Sequence, residues 1–140
     1  MDINEACELL ASTHPSLKTR LKKEQEYWAP DELLATVIMG DLGETVVLNS
    51  DNFSDEQYRE LFAKVEKLLS IEDGKFGDAV ATGFLEAIMH RLPTDKPPHR
   101  VISFFGKEAR EYCIAWDEFT GVTTPGLQSI KSMKSDSIDS

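Results

Sequence analysis

Residues 29–49, APDELLATVIMGDLGETVVLN, constrain the fold more than any other part of the chain. Pro30 suits the first position of a helix, where its missing N–H would have no partner anyway. Asp31 and Glu32 follow, where negative charge interacts favourably with the helix dipole. Leu33, Leu34, Val37, Ile38, Leu42, Val46 and Val47, projected at roughly 100° per residue, cover most of the circumference. A helix that is apolar nearly all round is buried on nearly every side. The expectation is a helix opening at Pro30 and forming the middle of the core.

Asp41 interrupts that helix. On the same projection it falls between Leu34, Val37 and Leu48, and Glu44 lies near Leu33 and Val37. A buried carboxylate needs hydrogen-bond or ionic partners, or it takes up a proton. Two readings stay open. In one, Gly40 weakens the helix and Asp41 caps a new one, with Asp41-Leu42-Gly43-Glu44 as a capping-box-like pattern. In the other, the break presents both acids at a concave surface. The first is preferred, because unpaired buried acids are rare.

The rest of the chain repeats the helical period. Residues 2–13 place Ile3, Cys7, Leu10 and Ala11 along one face, and Pro15 opens a second helix over 15–28. The basic residues Lys18, Arg20, Lys22 and Lys23 are diluted by Glu24 and Glu26 and read as a solvated face. Ser54 to Gln57 is a capping box opening an amphipathic helix to about Ser70. Residues 75–92 form the next helix, in which Gly77 and Gly83 allow close approach by a neighbour. Residues 99–105 read as a short helix or buried turn, because a single strand has nothing to pair with. The last helix spans 107–120, with Ala109, Tyr112, Cys113, Trp116 and Phe119 on one stripe and Gly121 as terminator. No strand–helix alternation appears. The fold class is therefore all-α: a six- or seven-helix bundle or a short α-solenoid-like array of helical hairpins, with no significant sheet. The helical domain covers 1–121, and 122–140 is expected to be a flexible polar tail. Met39 to Glu44 (MGDLGE) and Thr82 to Ala87 (TGFLEA) echo one another, which hints at stacked hairpins.

Charge narrows the partners. The chain carries a net charge of −10 over 140 residues, which disfavours nucleic acid and anionic membrane surfaces and favours a basic partner. Between Asp41 and Glu86 there are eleven acids and four bases. Asp41, Glu44, Asp51, Asp55, Glu72, Asp73 and Asp78 are the candidate partner-binding residues. If neighbouring helices run antiparallel, Asp51 and Asp55 gather at one end and Glu72 and Asp73 at the other. Cys7 and Cys113 are too few for a secreted disulfide framework and read as free buried thiols. No leader sequence and no membrane-length apolar run appears, so a cytoplasmic protein is expected. His14, His90 and His99 lack the spacing of a zinc site, and no phosphate loop or nucleophile elbow occurs. No metal or cofactor is expected, and catalysis by Asp41 with Glu44 is the least favoured reading. Arg91 either pairs with Asp41 or Glu44 or stands as a favourable charge at a helix C-terminus, the second being preferred.

At IMGDLGETVV (from Ile38), AVATGFLEAI (from Ala79) and GKEAREYCIAWDEF (from Gly106) the chain resembles a family of small acidic all-helical bacterial proteins. Some proteins of this kind are immunity proteins of the contact-dependent growth inhibition type. The resemblance implies a helical fold and a cytoplasmic immunity protein. Such a protein neutralises a basic toxin domain, most naturally a nuclease, through an acidic surface. The alternative is a helical adaptor or regulatory interaction domain with Trp116 and Phe119 as its contact; on either reading a monomer or weak homodimer is expected.

Overall fold

The computed structural model describes residues 2–70, 76–92 and 98–127. Those residues form an all-α bundle without strands. Helix α1 spans Ile3–Ala11, α2 Pro15–Trp28, α3 Ala35–Leu48 and α4 Asp55–Leu69. A single rod follows, built from a short α5 at Gly77–Ala79, a π-helical segment Val80–Leu85 and α6 at Glu86–Arg91. A 3-10 turn at Arg100–Phe104 leads to α7, Lys107–Thr120. No helix among the described residues is long and apolar enough to cross a membrane.

The caps explain the boundaries. Asp2 accepts the Glu5 amide, and Pro15 occupies the first turn of α2 behind His14. The Ser54–Gln57 capping box is formed in both directions, at 3.0 and 2.8 Å. Gly121 closes α7 at φ 76°, a left-handed position suited to glycine. The N-terminus of α7 is capped from outside the helix. Glu66 of α4 accepts the amides of Glu108 and Ala109 at 2.7 and 3.0 Å.

The central helix departs from its expected form in three ways. It starts at Ala35, not Pro30, because a turn closed by the Asp31 amide on the Trp28 carbonyl (2.8 Å) occupies the intervening chain. It is not buried on every side: Leu34 is 56% exposed, Val37 46% and Leu48 62%. Its core face is Ile38, Met39, Leu42 and Val46. Nor does it break at Gly40. The helix is continuous, so Asp41 caps nothing. The apolar arc around Asp41 is thus the outward arc, on which its side chain is half-buried, 25% exposed.

α3 packs on α1, α2, the π segment and α6. A Cβ on Gly43 would collide with the Phe84 carbonyl, and one on Gly83 would lie 2.5 Å from the Thr36 carbonyl oxygen. The two echoing segments therefore pack directly on each other. Gly77 makes only ordinary contacts, the nearest at 3.6 Å. Residues 122–127 lie against the bundle: Thr124 and Leu127 are buried, and Arg110 donates to the carbonyls of Gly126 and Leu127. Asp117, 1% exposed, accepts the Thr124 amide and hydroxyl at 2.8 and 3.0 Å. Both cysteines are buried and free, and burial pushes the Cys7 thiol up to about 12.

Candidate functional site

The outward face of α3 and the facing side of the rod enclose an open groove of about 420 Å³. Gly40, Gly83 and Ala87 lie where the two helices meet, so its floor is close to backbone. Thr36, Val37, Asp41 and Glu44 form one wall; Thr82, Glu86, His90 and Arg91 form the other; Trp116 of α7 stands beside them. The π segment contributes Thr82 and Gly83. Such widened turns recur at functional sites, and this one lies where the helices cross most closely.

Two arginines thread the acids of the groove. Arg20 of α2 approaches Asp41 at 2.9 Å, Glu24 at 3.1 Å and Glu44 at 3.4 Å. Arg91 closes on Glu44 at 2.6 Å. Ion pairs this exposed contribute up to about 1 kcal/mol each, whereas each fully buried Ile38, Met39 or Leu42 contributes roughly 1.5–3 kcal/mol. Packing holds α3 in place; the ion pairs set what its outer face presents.

The carboxylates respond differently. The Arg91 hydrogen bond holds Glu44 below its usual range. Asp41 is raised despite its 2.9 Å contact with Arg20. Burial is the larger cause, and the like charges of Glu24 and Glu44 add to it. One cation shared among three carboxylates does not satisfy them all. On the far wall Glu86 accepts the Tyr112 hydroxyl. Burial and Glu86 push the Tyr112 phenol up, so it remains a neutral donor; no ion pair to Glu86 occurs among the described residues.

The five candidate acids among the described residues therefore do not make one patch. Asp41 and Glu44 share the groove. Asp78 stands eight residues before Glu86 on the opposite wall's rod, and both act on the Tyr112 hydroxyl. Asp51 and Asp55 lie at the N-terminal end of α4, where Arg100 holds Asp55 at 2.9 Å. Gly77, next to Asp78, lies by the Leu68 and Leu69 carbonyls at the other end of α4. A helix of 15 residues separates those ends by roughly 20 Å. Glu72 and Asp73 lie outside the described residues.

Arg20 is not part of a solvated basic face, and Arg91 does pair with Glu44 while also ending α6. Periodicity within α2 offers only the Arg20–Glu24 pair; it carried no sign of the reach to Asp41 and Glu44, which are on α3. Glu86, Tyr112 and Trp116 belong to the site as well; their signal, an acid and two aromatics at helical spacing, is shared with ordinary packing. Phe119, expected on the apolar stripe with Ala109 and Cys113, is instead 83% exposed. No group of three or more metal-ligating side chains occurs among the described residues.

A family model described as "Domain of unknown function (DUF7674)" matches residues 7–121, from α1 through Gly121. No curated protein and no solved structure matches the chain.

Proposed function

We propose that this chain, which belongs to the DUF7674 family, is a cytoplasmic binding protein of the immunity type that covers and neutralises a basic toxin domain. The observation that carries this reading is the groove. It places the acids Asp41, Glu44 and Glu86 beside the exposed apolar side chain of Val37 and the half-buried Trp116. Acid and apolar surface together fit a protein partner better than a solvated face. A nuclease domain must be positive where it holds phosphates, and an acidic partner finds such a surface through long-range steering.

The test is capture of the partner from the native cell, followed by purification and rate measurement. The expected partner is basic and toxic to the cell, and stoichiometric addition of this chain silences it. Its association rate should fall at least about tenfold between roughly 0.05 M and 0.5 M salt. An acidic or harmless partner, or a rate indifferent to salt, overturns the proposal.

One observation favours the adaptor reading. Phe119 is 83% exposed and stacks on Trp116 at 6.1 Å between centroids. If that pair is a self-contact, light scattering will show a dimer at high concentration that Phe119→Ser abolishes; a monomer throughout removes it.

A further inference from the structure

The shape of the groove bears on what enters it, given the binding reading above, on which this inference rests. No strand occurs among the described residues, so strand addition to a sheet edge has no template. The α3 wall runs from Thr36 to Glu44, about 12 Å at a helical rise. A volume of about 420 Å³ admits a few side chains rather than a whole segment. What docks is one face of an element lying across the mouth.

The chemistry of that face follows from the walls. Val37, 46% exposed, and the edge of Trp116 call for an apolar side chain. Glu86 calls for a cation: its bonded partner is a neutral phenol, and no ion pair engages it among the described residues. Asp41 shares its one arginine with Glu24 and Glu44. Glu44, already met by Arg91 and Arg20, is the least available of the three. Apolar and cationic side chains arrive together on one face when they are three or four residues apart on a helix.

We propose that the groove between α3 and the π–α6 rod receives a basic amphipathic helix of the partner protein. Its apolar side chain rests on Val37 and Trp116, and its lysine or arginine side chains meet Asp41 and Glu86.

The probe is a leucine–lysine peptide with helical spacing, compared with a scrambled peptide of the same composition, in nuclear magnetic resonance titrations of the full chain at low salt. The helical peptide should shift the Trp116 indole N–H and the amides from Thr36 to Glu44 and from Thr82 to Arg91. It should bind at least about tenfold more tightly than the scramble. Val37→Asp and Glu86→Gln should each weaken it about tenfold with an unchanged circular dichroism spectrum. Equal binding of both peptides, with shifts spread over the acidic surface, overturns the helix and leaves the basic-partner reading standing. Binding of neither peptide overturns both.

Discussion

A methyl group on Gly43 would collide with the Phe84 carbonyl and stand 3.2 Å from the Ala87 Cβ. One on Gly83 would lie 2.5 Å from the Thr36 carbonyl oxygen and 2.9 Å from the Met39 Cβ. These obstacles are mostly backbone, which yields little in a packed core. Gly40, one turn away, meets nothing nearer than 3.8 Å. The three glycines therefore separate in a simple experiment. Gly43→Ala and Gly83→Ala should each destabilise the chain by about 1–3 kcal/mol through overpacking. Gly40→Ala should be neutral or stabilising by up to about 1 kcal/mol, because alanine is the better helix former. Urea midpoints check the order. If Gly43→Ala unfolds no earlier than Gly40→Ala, the close crossing of α3 on the π segment is wrong. Gly83 was legible in the sequence as a point of close approach, and Gly43 was not: within its own helix it differs in no way from Gly40.

At the scale of elements, α2, α3 and α6 are joined by carboxylates whose titrations oppose one another. Glu44 is lowered from an ordinary value of 4.5 by its hydrogen bond from Arg91. Its stabilisation is present above that value and is lost as pH falls through the lower folded value. Asp41 is raised from 3.8, chiefly by burial. The native state then holds the proton more tightly than the unfolded chain, so stability declines as pH rises from 3.8 through the raised value. Chemical denaturation at steps from about pH 3 to pH 7 should show the two signs directly. The stability advantage of the parent over Glu44→Gln should grow with pH, and that over Asp41→Asn should shrink. Slopes of one sign would contradict the network. Helix existence, the Ser54 cap, the α7 boundaries and the Gly121 stop were all legible, because each is decided by neighbours within a turn or two. The start of α3, the outward turn of Val37 and the reach of Arg20 were not. A helical wheel shows where an apolar arc lies but not which arc the rest of the chain covers.

For the whole molecule, the arrangement of charge matters more than its total of −10. Asp51 is exposed at the N-terminal end of α4, outside the groove, whereas Glu86 lines it. A partner seated on the groove feels Asp51 only through the field but touches Glu86. Fields between exposed charges fade with salt, the screening length falling from about 30 Å at 0.01 M to about 3 Å at 1 M. Contacts made at short range, with water excluded, are screened much less. Asp51→Lys should therefore slow association at low salt, leave dissociation unchanged and become indistinguishable from the parent at about 1 M. Glu86→Lys should slow association at low salt too, but it should also speed dissociation, and that part should persist at about 1 M. Stopped-flow rates for both variants against the captured partner separate the two cases. If Asp51→Lys speeds dissociation at high salt and Glu86→Lys does not, the partner sits at the end of α4, and the groove is not where recognition happens.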